Sequence, residues 1–212
     1  MNIYLVRHGR SLSNMANTYS DGSTELDPQY LDELKPAKAY LNKIHFDGVF
    51  TSDYTRCIQT AEALGYPDAV REPRLRERSF GVFEGLTPTQ VWDKYQADYA
   101  ALCANPVTYA APEGETYEEV CRRVWSVLDE LSAKERASFV ATPYGMRPDP
   151  AFNENYLLVC HYNVLSSALG WVMGTNQSLK GLAPQNGAIL QVQVYGPVKS
   201  VRLPRMEFLA EE

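Results

Sequence analysis

Cysteine is scarce in this 212-residue chain, and the four present, Cys57, Cys103, Cys121 and Cys160, form no CxxC pair. That spacing excludes a zinc ribbon and a thioredoxin-type redox motif, and it predicts reduced thiols that are mostly buried. Histidine is rarer still: His8, His45 and His161 show no paired metal-ligand spacing, so no zinc site is expected. His45 has no partner motif and reads as structural. No Gly-rich loop ends in Gly-Lys-Ser/Thr, which removes a nucleotide-binding loop from consideration. No apolar run reaches the length of a membrane span, and the start lacks a basic stretch followed by an apolar one, so neither a membrane partner nor a signal segment is expected. With the reduced cysteines, this predicts a soluble cytoplasmic protein. Basic residues are outnumbered, giving a formal net charge of -6, which argues against a nucleic-acid partner. Internal repeats and low-complexity segments are absent.

What is present is one domain's worth of alternating strands and helices, expected to span 1–212. Ile3-Tyr4-Leu5-Val6 and Tyr156-Leu157-Leu158-Val159-Cys160 read as buried strands, and Gly48–Thr51 as a third. Helical spacing runs through 30–43, with regular helix beginning near Pro36, and through 54–64, for which Ser52-Asp53 supplies an N-cap. Further helices are expected at 87–102, 116–131 and 162–173. Residues 69–85 are charged and irregular. Residues 143–155 read as a surface loop, either a lid or a passive excursion. Gly187–Tyr195 and Val198–Leu203 form a closing hairpin at Gly196-Pro197. The predicted class is α/β, a three-layer arrangement with a mainly parallel sheet and helices on both faces.

The two buried strands end in chemistry. Arg7-His8-Gly9 follows the first and His161 follows the second, so both histidines fall at strand carboxyl ends, where open α/β sheets bind ligands. Arg56, in the first turn of the 54–64 helix, is aimed at the same crevice, and a helix N-terminus favours anions. Arg7, Arg10, Arg56, Arg74, Arg76 and Arg78 lie in these segments, so a cationic pocket within an acidic shell is expected, suited to a small anion.

Four blocks then occur in order: Arg7-His8-Gly9 with Ser11 and Asn14; Ser52-Asp53-Tyr54-Thr55-Arg56-Cys57-Ile58-Gln59-Thr60-Ala61; Leu75-Arg76-Glu77-Arg78-Ser79-Phe80-Gly81-Val82-Phe83-Glu84-Gly85; and the late His161. Together they resemble the histidine phosphatase superfamily, the phosphoglycerate-mutase-like group. The resemblance implies a metal-independent phosphomonoesterase without a cofactor, acting on a small phosphorylated substrate, with His8 as the nucleophile that carries the phosphoryl group. Arg7, Arg56 and His161 would complete the phosphate pocket, and Asn14 and Ser20 match polar positions in the loop after the nucleophile. Glu77 matches the acid position, with Glu84 as the competing proton donor. Arg10 departs from the usual acidic or amide residue, and would either add charge to the pocket rim or pair with a carboxylate. Tyr162-Asn163 stands where phosphatase-like members more often carry glycines. Asn163 is counted with Asn14, Ser20 and Arg10 among the expected substrate contacts. A phosphoglycerate-type mutase and a non-catalytic phospho-ligand domain are the alternatives; the substrate and the oligomeric state are not legible.

Overall fold

A computed structural model describes residues 1–147, 149, 152–177 and 184–204. Its strands are β1 (Asn2–Arg7), β2 (Gly48–Thr51), β3 (Val70–Arg71), β4 (Val140–Thr142), β5 (Gly145–Arg147), β6 (Asn155–Cys160), β7 (Ile189–Tyr195) and β8 (Val198–Arg202). The helices are α1 (Leu12–Ala16), α2 (Lys35–Leu41), α3 (Thr55–Leu64), α4 (Pro88–Ala104), α5 (Tyr117–Ala137) and α6 (Tyr162–Met173). Six strands form one sheet in the order β3-β2-β6-β1-β7-β8. The first four run parallel, while β7 and β8 add an antiparallel hairpin against β1.

The apolar runs at β1 and β6 are continuous because both faces of the sheet are covered. Side chains alternate along a strand. Ile3 and Leu5 accordingly join Leu158, Cys160 and Leu190 in a core built with α5 and α6, while Tyr4 and Val6 join Leu157, Val159 and Ile189 in a second core under α2 and α3. Three layers follow from this double coverage. A third, smaller cluster around Phe83, Val91, Leu102 and Ala111 ties α4 to the irregular segment before it.

Helix boundaries follow local chemistry. Pro36 sits in the first turn of α2, and α4 opens on a Thr87–Gln90 capping box with Pro88 behind it. Three sequence expectations need correction. The 54–64 helix is not capped by Ser52 or Asp53: Tyr54 is its N-cap residue and contributes no side-chain bond. Asp53 instead pairs with Arg76 at 2.6 Å, and Ser52 turns to His161. The 143–155 segment is not simply a loop, since Gly145–Arg147 pairs with Val140–Thr142 in a short hairpin. Tyr144, 86% exposed, shows why no pattern announced it: neither face of the hairpin is buried, so its residues carry no apolar alternation. Residues 148, 150 and 151 of that segment, which bear on the lid question, lie outside the described residues. Finally, the irregular 69–85 stretch contains β3 and two 3-10 turns, Pro73–Leu75 and Gly81–Phe83.

Candidate active site

The parallel strands β2, β6 and β1 lie side by side, and each delivers its next residue to the same edge. Ser52 continues β2 by donating its N–H to Val159 O at 2.9 Å, and His8 continues β1 by donating to Cys160 O at 2.9 Å. His161 follows β6 directly and is the N-cap residue of α6. The two imidazoles therefore meet, with ring centroids 5.2 Å apart. Both are buried, His8 4% and His161 0% exposed, so the pair is enclosed rather than set on the surface.

The tautomer of His8 follows from its partners. Nδ1 lies 2.7 Å from Gly9 O, and a carbonyl only accepts, so Nδ1 carries the hydrogen and Nε2 keeps a lone pair in the neutral ring. Arg56 Nε donates to that Nε2 at 3.3 Å. Burial is the main cause that holds the His8 imidazole well below its ordinary pKa, and the nearby Arg56 and Arg7 charges act in the same direction. His161 is lowered for the same reasons, burial first and Arg56 next. Its Nε2 sits 2.9 Å from Ser52 Oγ and 3.3 Å from Cys57 Sγ.

Arg56 is fully buried; Nη1 donates to Asp21 O at 2.6 Å, which pins the loop holding Ser20. Its Nη2 has no acceptor, and neither has Arg7 Nε, among the described residues. Arg7 Nη1 reaches Pro184 O at 3.2 Å, and its guanidinium stands 5.2 Å from the Tyr162 ring centroid. Buried guanidinium N–H groups are normally paired, so two unmatched ones beside a neutral histidine lone pair form a setting for an oxyanion.

The sequence model of the histidine phosphatase superfamily (branch 1) matches residues 3–142. The chain belongs to that superfamily. Human 6-phosphofructo-2-kinase/fructose-2,6-bisphosphatase 4 is 30% identical over 173 residues, which cover 81% of this chain and 32% of that protein. The chain thus spans about a third of the length of such relatives. A 2,3-bisphosphoglycerate-dependent phosphoglycerate mutase of Cytophaga hutchinsonii is 29% identical over 79% of this chain and 75% of its own length. Among solved structures, the alpha-ribazole phosphatase of Shigella flexneri superposes with a TM-score of 0.81 at 21% identity, covering 96% of this chain and 95% of that one. That likeness establishes the phosphoglycerate-mutase-like fold.

This member of the superfamily brings His8, Arg7, Arg56 and His161 together. Glu77 reaches the border of this group: its carboxylate accepts from Arg78 N at 2.8 Å and from Asn163 N at 3.3 and 3.4 Å, at the start of α6 next to His161. Its charge also opposes the fall that burial imposes on Arg7. Glu84, by contrast, is occupied within its own loop, accepting from Ser79 Oγ at 2.9 Å and Phe80 N at 3.0 Å. Arg10 takes the second of its two alternatives, a bidentate pair with Glu33 at 2.9 and 3.2 Å, stacked 4.4 Å from the Tyr30 ring centroid. Both Arg10 and Arg7 also line an open cleft of about 670 Å³ with Asn14, Glu33 and Asn186. Asn14 Oδ1 caps α1 through Ser11, and Asn163 contributes a backbone N–H to Glu77.

Four supporting residues carry no motif signal strong enough to single out. Thr60 Oγ1 accepts from Gly9 N at 3.0 Å and donates to Arg56 O, tying α3 to the loop that follows His8. Asn186 donates to His8 O at 3.0 Å, from a segment whose Gln-Asn-Gly composition reads only as a turn. Tyr162, expected only as a departure from glycine, backs Arg7. Cys57 fills the space under His161.

Proposed function

We propose that this chain is a metal-independent phosphomonoesterase that works through a phosphohistidine on His8. Arg7 and Arg56 would hold the phosphoryl oxygens, His161 would add a donor, and His8 Nε2 would attack phosphorus in line with the departing oxygen. Charge spread over three equatorial oxygens calls for positioned donors, which these groups supply. Glu77 would protonate the leaving oxygen, then accept a proton from the water that splits the phosphohistidine. The observation that carries the reading is a neutral His8, its Nε2 lone pair facing Arg56, beside two buried guanidinium N–H groups without acceptors.

The substrate would be a small phosphorylated molecule, the class shared by the compounds named for its relatives. The decisive experiment is rapid quench with a phosphate-labelled substrate. An acid-labile adduct should form on the wild type and not on His8→Ala, and chelator should leave turnover unchanged. Normal turnover in His8→Ala would sink the mechanism, and binding without any adduct or product would favour a phospho-ligand domain. The Cytophaga relative gives a mutase reading one supporting observation. It requires that the adduct pass to a second phosphorylated acceptor rather than to water, which the same quench measures.

A further inference from the structure

Glu77 lies in an irregular segment with no helix or strand of its own, yet a general acid has to be held to within a fraction of an ångström. We infer that Arg123, on α5, is the positioning residue that sets the place of this acid, an inference that rests on the reading of Glu77 as proton donor. The Arg123 guanidinium grips the segment at three successive points. Nη1 donates to Arg74 O at 2.8 Å and Arg76 O at 2.6 Å, and Nη2 donates to Glu77 O at 3.2 Å. The same guanidinium forms a two-point pair with Glu115, Nε to Oε1 and Nη2 to Oε2, both at 2.7 Å.

Glu115 is itself stitched to the far side of the acid. Its N–H donates to Ser79 O at 2.9 Å, and its carbonyl accepts from Arg78 Nε at 2.8 Å. Arg78, 5% exposed, spends its other nitrogens on Pro106 O and Tyr109 O. Residues 74–79 are therefore clamped on both flanks of Glu77 by two arginines and the backbone of Glu115, whose carboxylate holds Arg123, while among the described residues the Glu77 side chain itself bonds only backbone N–H groups. The side chains of Arg123 and Glu115 are 19% and 21% exposed, so the pair is partly shielded from solvent and sterically held. Five forked donors make this arrangement possible; a lysine ammonium cannot satisfy a carboxylate in two-point fashion and three carbonyls at once.

The test compares Arg123→Lys, Glu115→Gln and Glu77→Gln across phosphate monoesters whose leaving groups range from alkoxides to activated aryl oxides. A general acid is worth about 10²–10⁴-fold where the leaving group is poor and little where it is good. Displacing an acid by about an ångström forfeits on the order of a hundredfold. Arg123→Lys should thus lose roughly ten- to a hundredfold in kcat/KM on alkyl phosphates and about twofold or less on aryl phosphates. Its inhibition constant for vanadate should stay unchanged. Glu115→Gln, which keeps shape and folds more readily, should show the same slope more weakly, and Arg123→Lys in a Glu77→Gln background should add no further slope. A clamp that only stabilises the fold would lower the active fraction equally for all substrates and leave the slope flat, which overturns the inference. If Glu77→Gln itself shows no leaving-group dependence, the acid has been misassigned and the inference falls with it, while the phosphohistidine would stand.

Discussion

Arg56→Met separates binding from folding at the centre of the crevice. The substitution keeps a long side chain in a fully buried position but removes the charge, the 2.6 Å bond to Asp21 O and the 3.3 Å bond to His8 Nε2. Hydrogen bonds involving a charged group contribute about 1.5–3 kcal/mol each, so the two bonds together set a loss of about 3–6 kcal/mol. Against it stands Nη2, a buried donor without an acceptor, whose removal returns about 1–3 kcal/mol. The variant should therefore fold with a loss of between about 0 and 5 kcal/mol, a fall in Tm of at most about 10–20 °C at this chain length. The ligand response is read separately, as the shift from each protein's own unliganded Tm. At a vanadate concentration 100 times the wild-type Kd, mass action adds about 2.7 kcal/mol, a rise of about 5–11 °C. Truncating one member of a buried charge contact costs about 2–5 kcal/mol, so the variant's Kd should rise about thirtyfold or more and its shift should shrink to about 3 °C or less. Thermal melts with and without vanadate give both numbers. A variant that keeps the full shift, or that loses more than about 5 kcal/mol without ligand, would refute the placing of Arg56 in an oxyanion site.

The lowered histidines give a pH signature. His8 and His161 are neutral when folded well below their ordinary pKa, whereas in the unfolded chain they protonate near pH 6.5, so stability is complete above that value and is lost as pH falls beneath it. Each contributes up to about 1.4 kcal/mol per pH unit, and His8→Ala should remove one histidine's share of the slope between denaturation curves at pH 6.5 and 5.5. An unchanged slope would contradict the burial argument. Gly81→Ala should be strongly destabilising: Gly81 has φ +52°, and a Cβ there would lie 2.1 Å from Pro112 O. Left-handed strain of about 1–2 kcal/mol plus overpacking of about 1–3 kcal/mol predicts a marked fall in the denaturant midpoint.

The two strands and their terminal histidines were legible because continuous apolar runs have one reading when a sheet is covered on both faces, and because the residues that end them are polar and abrupt. Arg56 was legible through its place in a helix's first turn. Arg78 and Arg123 were not. A charged residue in a charged stretch has the same local pattern whether it meets water or three backbone carbonyls, and only the tertiary path decides, of 106–115 for Arg78 and of 74–77 for Arg123. The misplaced cap has a related cause. Ser52 is a good capping residue by type, but its hydroxyl lies 2.9 Å from His161 Nε2, a partner 109 positions away.

Distant bonds also bear on how a neutral His8, the proposed nucleophile, coexists with two guanidinium groups. Burial presses Arg7 as well as the two histidines toward the neutral form. Carboxylates within bonding distance of Arg7 and Arg56 would relieve that strain but would also occupy the donors that a phosphoryl group needs. Glu77, the proposed acid, instead stands off, its charge felt by Arg7 while its oxygens are held by N–H groups of Arg78 and Asn163. Holding Glu77 at that distance requires a grip from behind, and the backbone clamp of Arg123 provides it without placing any further group in the crevice.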